Sequence, residues 1–396
     1  MKNKGIIGLL GLAGFVVMAD NWVVSPILPA IANNLGIDIS SAGLLISAYM
    51  VPFGLFQLVF GPLADRYGKK QVVTFSMIVF TVATGLCALG MGLKDLALYR
   101  ALTGVFAASV MPISLALIGD LFPIEKRQGA IGSFMGISFL GQGLSMAIGG
   151  VIAYFLSWRG VFALYALFSV IPTLALIKAY GSLPSTKNPQ ARFLAPYRKL
   201  LSDRRSLNTY LLVLLEGVFI IGSFSYLGAY IEAVFHFNYL YIGLIMTAFG
   251  LTSVIGGKLS GKLVQAIGPR HMLTLGLLAA TAADLLLACC GGWLGSLLIA
   301  VALLGFGFIF THSTLLTRAT EFAHKARGSA MSLVAFCFMG GGGLGTALGG
   351  GLIAHWGLHD LFYVFGTALL FTWMLSFALI RHHIIEKNEL AIEVAE

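Results

Sequence analysis

Asp20, Arg100, Glu216, Asp284 and His312 are ionisable side chains that stand inside long apolar runs of this chain. Charge is expensive in an apolar medium, so such residues mark substrate or ion pathways and proton relays. Asp20 sits in mid-run, followed by Pro26 and Pro29, which can bend a helix there. Desolvation disfavours the charged form of a carboxyl group, which suits Asp20 to take a proton from one side and release it to the other. The plain alternative is an acid held permanently in a structural pair. Glu216 and His312 lie at similar depth, roughly 9 to 12 Å from one edge at 1.5 Å per residue. Because histidine titrates near neutrality, the two either carry protons or form a quiet hydrogen-bonded pair. Asp20 and Arg100 match less well. They lie roughly 16 Å and 6 Å below the outer ends of their runs by helix rise, and an extended arginine covers the remaining ~10 Å only by snorkelling. Trp22 and Tyr49 offer stacking surface nearby, although aromatics on helix faces more often serve packing.

These residues need a scaffold that keeps water away. The chain has 396 residues, 58% of them hydrophobic and 10% charged, with a mean hydropathy of +0.91. A soluble domain carries about 25% charged residues, and a bilayer-spanning helix needs roughly 20 apolar ones. The class is therefore an all-α, polytopic membrane protein. Twelve apolar runs qualify as spans, at roughly 6–31, 41–62, 71–92, 96–119, 129–156, 161–180, 208–231, 241–263, 272–290, 295–317, 328–354 and 361–380. The first run continues past Asp20 to about Ile31, too long for the apolar core of a leader peptide, so it reads as a span.

A net charge of +9 invites thought of nucleic acid, but the Lys and Arg residues fall in alternate gaps between the runs. With the N-terminus placed inside, 22 of the 25 lie on the cytoplasmic side, Lys94 and Arg159 lie outside, and Arg100 is within a span. That asymmetry predicts a multi-pass cell-membrane protein with both termini cytoplasmic, and the bacterial cytoplasmic membrane is the expected location. No nucleic-acid partner is implied. Cys87, Cys289, Cys290 and Cys337 all lie in apolar runs, which predicts reduced, packed thiols rather than a disulfide framework. His382 and His383 lack a third ligand at metal-binding spacing, no G-x-x-x-x-G-K-[ST] element is present, and no nucleophile–base constellation stands out. The reading is a non-enzyme without metal or cofactor.

Residues 181–207 are polar, basic and proline-bearing. They divide the chain into a six-helix bundle over 1–180, a cytoplasmic linker over 181–207, a second six-helix bundle over 208–380 and a tail over 381–396. The linker's charge suits an anionic inner leaflet. An offset of 200 relates the two bundles. Gly43, Ala48, Gly61, Leu63 and Gly68 recur as Gly243, Ala248, Gly261, Leu263 and Gly268, and Gly141, Gly149, Gly150 and Phe162 recur as Gly341, Gly349, Gly350 and Phe362. Parallel repeats with a site between them near the midplane are a transporter plan.

Between spans two and three the chain reads GPLADRYGKK, residues 61–70. This resembles the G-x-L-A-D-R-x-G-[RK]-[RK] signature of the major facilitator superfamily, and Arg100 to Gly104 in span four resembles that superfamily's R-x-x-x-G element. The likeness covers essentially the whole chain and implies 12 transmembrane helices in two six-helix bundles that work by alternating access. It implies that Gly61, Asp65, Arg66, Gly68, Lys69 and Asp120 form a cytoplasmic latch, with Asp65, Lys69 and Asp120 in a charge relay against the start of span eleven. The second copy, GKLVQAIGPR, keeps the glycines but has Gln265 and Ala266 where charges stood. In span five, glycines 132, 141, 149 and 150 fit the antiporter signature of the drug-exporting branch, but Ser145-Met146 replaces its Gly-Pro. The family lines its cavity with helices one, four, seven and ten and leaves helix nine peripheral, so Asp284 reads as structural. In span eleven, MGGGGLGTALGGG over residues 339–351 must be either tightly packed or easily bent.

The function these residues favour is proton-coupled efflux of small amphipathic or cationic compounds. Asp20 is the expected proton carrier, Arg100 its modulator, and Glu216 with His312 a second proton or substrate site. Trp22 and Tyr49 complete the expected substrate cavity, and the partners are a small molecule, protons and lipid, with no obligate protein partner. One alternative is transport of a polar metabolite such as a sugar or amino acid, which amides and hydroxyls in the cavity would favour. A more distant one is a non-transporting receptor, which would carry a large signalling domain in its tails or middle loop.

Overall fold

The computed structural model describes residues 3–184, 195–321 and 327–380. All regular elements among them are helical. Eleven stretches are long and apolar enough to cross a bilayer, and one of these, Tyr239–Cys290, has 52 residues. At 1.5 Å per residue that is about 78 Å, which is two crossings rather than one. It divides at Gly268, where φ is 81° and ψ is 159°, so the chain makes twelve spans. Gly68, two hundred residues earlier, makes the same break at φ 106°. Glycine adopts such angles without a Cβ penalty, which explains why both copies of the signature keep it although only one keeps the charges. The repeat also survives where residue type does not. Gly36 and His236 end the second helices of spans one and seven in the same left-handed conformation, at φ 62° and 54°.

Span one is broken into Asn3–Trp22 and Val24–Leu35. Span two comprises Ile39–Ala42 and Leu44–Tyr67, span three Lys69–Ala88, span four Leu93–Ala107 and Val110–Leu121, span five Ile124–Phe155 and span six Trp158–Ala179. A short helix, Ala195–Ser202, follows. Span seven comprises Arg204–Glu216, a π-helical turn at Gly217–Ile221, and Gly222–Phe235. Spans eight and nine share Tyr239–Cys290, and Leu294–Glu321, Arg327–Trp356 and Leu358–Leu379 complete the twelve. Span seven starts earlier than its hydropathy suggests because the Asp203 side chain accepts from the Arg205 and Ser206 amides, an N-cap that lets Arg204 and Arg205 join the helix.

The end bearing the Lys- and Arg-rich turns is here termed the basic end. At the opposite, far end the two bundles close on each other. Residues 16–32 of span one and 220–231 of span seven are buried without interruption. A helix belonging to one bundle alone keeps an exposed stripe, so burial all round means that both bundles enclose these segments. The basic-end turns of the same spans do keep such stripes, at Ile7, Gly8, Leu12 and Phe15, and at Leu207, Leu211 and Leu214. Glycines mark the seam. A Cβ on Gly54 would lie 2.9 Å from the Gly340 amide, and one on Gly250 would lie 3.0 Å from the Gly143 Cα. Gly132, Gly136 and Gly261, nearer the basic end, have open space at the same position. The bundles therefore part toward the basic end.

Span eleven resolves the choice its glycines posed. It is one unbroken helix, wedged between span two of the first bundle and span seven of the second. Gly343 faces Val51, Gly342 meets both Met50 and Ile221, and Gly341 and Gly345 face the Leu214 and Val218 carbonyls. Close packing, not bending, is what these glycines provide. One sequence expectation is corrected: Cys87 and Cys337 are buried, but Cys289 and Cys290 are exposed. They end their helix beyond Leu287 and Ala288, its last buried residues, where no neighbouring span covers them.

Candidate functional site

Asp20 and Arg100 meet inside the first bundle. Arg100 Nη1 donates to Asp20 Oδ2 at 2.8 Å and Nη2 to the Asp20 backbone carbonyl at 3.4 Å. Neither side chain has meaningful access to solvent. The ~10 Å gap expected from helix rise assumed outer ends at one level. Instead, the far-end helix of span one runs on to Leu35 after the break at Val23, so depth counted from the ends misleads. The guanidinium lies over the Tyr49 ring, 4.3 Å from its centroid, and 5.6 Å from that of Phe162. Tyr49 is thus enclosed within the first bundle as a platform for Arg100, away from the seam. Asp20 Oδ1, Arg100 Nε and the Tyr49 hydroxyl have no hydrogen-bond partner among the described residues.

Glu216 and His312 meet inside the second bundle, with His312 Nδ1 3.3 Å from Glu216 Oε2 in hydrogen-bonding geometry. Oε1 lies equally near but has no hydrogen bond. Glu216 is fully enclosed, whereas 20% of the His312 side chain is exposed, so the imidazole is the carboxylate's link to the space between the bundles. The π-helical turn sets this orientation. In an uninterrupted α-helix, residues seven apart lie within about 20° of each other, which would put Glu216 and Ser223 on one face. A π turn takes up an additional residue. Glu216 consequently meets span ten while Ser223 donates to Asp284 Oδ2 of span nine at 2.6 Å. Asp284 is fully buried, its Oδ1 lacks a partner, and Gly366 of span twelve packs against its Cβ. No ion pair to it is found among the described residues.

Between these two pairs runs a tract of aromatic rings that crosses the seam. Trp22 of span one packs edge-on to Phe224 of span seven at 5.3 Å, and lies 5.7 Å from Phe249 of span eight and 6.2 Å from Phe308 of span ten. Phe308 stacks on His312 at 5.4 Å and on Phe338 at 5.5 Å, and Phe338 lies 4.5 Å from His312. The rings form a floor one helical turn beyond His312. Beyond it, on the far side, Ser25 donates to the Phe224 carbonyl at 2.6 Å and Asn33 to Glu232 at 2.9 Å, both across the seam. The Trp22 indole N–H and Asn21 Oδ1 are buried without partners among the described residues. Phe224, Phe249, Phe308, Phe338 and Asn21 escaped the sequence reading because nothing distinguishes them in a chain with 29 phenylalanines.

At the basic end Lys69 Nζ and Asp120 Oδ2 form an ion pair at 2.7 Å. Asp65 and Arg66 of the same turn are exposed, and among the described residues Asp65 makes no ion pair. The loop preceding span eleven, residues 322–326, lies outside the described residues, as do His382 and His383.

Fold and site together define a helical membrane protein of two six-helix bundles with buried ionisable pairs on either side of an aromatic seam, the build of a secondary transporter. The Major Facilitator Superfamily model matches residues 10–326 and again 221–391, and the chain belongs to that superfamily. It is 30% identical over 269 residues to the uncharacterized MFS-type transporter YceJ of Bacillus subtilis (strain 168), covering 67% of this chain and 68% of that protein. It is 25% identical over 406 residues to the puromycin resistance protein pur8 of Streptomyces alboniger, covering 87% and 80%. In fold it is similar to the crystal structure of the nucleoside transporter NupG (D323A mutant), with a TM-score of 0.79 at 14% identity over 95% of this chain and all of that one.

Proposed function

We propose that this transporter exports small amphipathic or cationic compounds in exchange for protons. The observation that carries the reading is Glu216: a buried carboxyl group at the edge of a mid-depth aromatic floor, whose polar partner, His312, is partly exposed toward the space between the bundles. A carboxylate beside ring faces suits an amphipathic cation, which ring quadrupoles also attract. If a proton and a cation compete for it, binding of one releases the other. Arg100 argues against an anionic substrate, because Asp20 already neutralises it and neither is accessible. Aromatic rings form the floor itself, with the Asn21 amide beside it and the Ser25 and Asn33 contacts beyond it, and a floor of that kind favours amphipathic compounds over a polar metabolite. The name of the puromycin resistance relative points the same way.

With the basic end in the cytoplasm, as the positive-inside pattern predicts, this conformation is open inward and sealed outward. Alternating access would part the Ser25–Phe224 and Asn33–Glu232 contacts and bring the basic ends together. Asp20 and Arg100 serve as a second coupling pair within the first bundle. The test is proton release from acidified inside-out vesicles on addition of tetraphenylphosphonium or ethidium. The native protein should release protons and Glu216→Gln should not. Silence from the native protein across a broad panel of lipophilic cations would overturn the reading.

A further inference from the structure

Helix Ala195–Ser202 of the linker packs against spans seven and eleven at the basic end, with Tyr197 and Leu200 buried. The Tyr197 hydroxyl donates to the Leu58 carbonyl of span two at 3.1 Å and stands beside the Ser332 side chain of span eleven. Its acceptor has a cause in the sequence. In an α-helix a carbonyl at position i accepts from the amide at i+4. Four residues after Leu58 is Pro62, which has no N–H to give. Tyr197 supplies the missing donor. Burial raises the phenol above its ordinary pKa, and the nearby negative charge of Asp65 acts in the same direction, so it stays protonated, and able to donate, at physiological pH.

We propose that this helix is a wedge that holds the basic end open, with Tyr197 as its positioning residue. A phenol that touches span two and span eleven together occupies ground those spans must share when the basic end closes. Asp65, expected to latch toward span eleven in the closed form, lies on the same side, so the docked wedge and the engaged latch exclude one another. The linker therefore does more than tether two bundles: it sets the ratio of the two forms. The proposal rests on the alternating-access reading above, and the experiment separates the two.

Spin labels at Asp38→Cys and Val234→Cys, exposed positions on opposite bundles at the far end, report far-end opening by electron–electron distance measurement in lipid nanodiscs. Cys289 and Cys290 are changed to serine, and Cys87 and Cys337 are buried. Tyr197→Phe should raise the ratio of far-end-open to far-end-closed molecules roughly two- to tenfold, the worth of one neutral hydrogen bond. Tyr197→Ala should raise it further. Pro62→Ala restores an amide donor to Leu58, so Tyr197→Phe should have a smaller effect on that background, a coupling that mere space-filling would not produce. Asp65→Asn should lower the ratio by weakening the latch. If the Tyr197 variants leave the ratio unchanged while Asp65→Asn lowers it, the wedge is overturned and alternating access stands. If Tyr197→Phe acts equally with and without Pro62, the assigned hydrogen bond is overturned. A single fixed distance in every variant, with and without tetraphenylphosphonium, would overturn both.

Discussion

Replacing Arg100 by methionine tests whether the Asp20–Arg100 pair is held as an ion pair. The carboxylate has no solvent exposure, its contact with Arg100 is 2.8 Å, and among the described residues no other cation pairs with it. Removing one partner of a buried pair costs about 3–5 kcal/mol, mostly because the other charge is left uncompensated. The ring of Tyr49 under the guanidinium adds roughly 0.5–2 kcal/mol of cation–π attraction, which is lost as well. Asp20→Asn alone strands the guanidinium at comparable cost. The double variant removes both charges, and neutral replacements of a buried pair are often tolerated. The double variant should therefore recover at least about 2 kcal/mol relative to the sum of the single losses, a coupling of the size seen between groups in one network. The assay is equilibrium unfolding in mixed detergent micelles followed by far-UV circular dichroism, with the three variants and native protein compared. A loss below about 1 kcal/mol for Arg100→Met, or strictly additive losses, would refute the reasoning from burial and distance. A double variant that is stable but releases no protons would assign the pair to coupling rather than to folding.

Two further outcomes follow from the packing. Gly345→Ala drives a methyl group into the Val218 carbonyl while Gly351→Ala meets open space; the first should cost about 1–3 kcal/mol and the second should be neutral or stabilising, read as folded yield and unfolding midpoint, and equal behaviour would contradict the span seven–eleven interface. Trp22→Ala removes one aromatic face worth roughly 0.5–2 kcal/mol to a cation, so tetraphenylphosphonium affinity should fall about 2- to 30-fold, whereas Tyr49→Phe, at a ring enclosed beneath Arg100, should leave it unchanged.

The residues of the chain determined its class through composition and period. Long apolar runs can satisfy their backbone in lipid only as helices, so twelve spans followed from counting, and the alternation of basic gaps predicts an orientation. The repeat was legible because glycine has no substitute at Gly68 and Gly268, where the backbone pairs positive φ with an extended ψ. Its continuation at Gly36 and His236 was hidden, because a left-handed cap tolerates more than one residue type. Ionisable residues in apolar runs were found by the same logic of cost, and the structure brought them together as Asp20–Arg100 and Glu216–His312.

What the sequence did not contain was depth, rotation and partner. Depth failed because Val23 breaks span one and its far-end helix extends beyond the expected edge. Rotation turned on a π-helical turn that hydropathy does not register, yet it decides that Glu216 meets His312 and Ser223 meets Asp284. Partners failed because phenylalanine is common here, so only packing selects Phe224, Phe249, Phe308 and Phe338 to meet Trp22. A one-dimensional pattern records what each residue costs to bury. Which residues share that burial is decided by helices from distant parts of the chain, and only the tertiary structure brings those together.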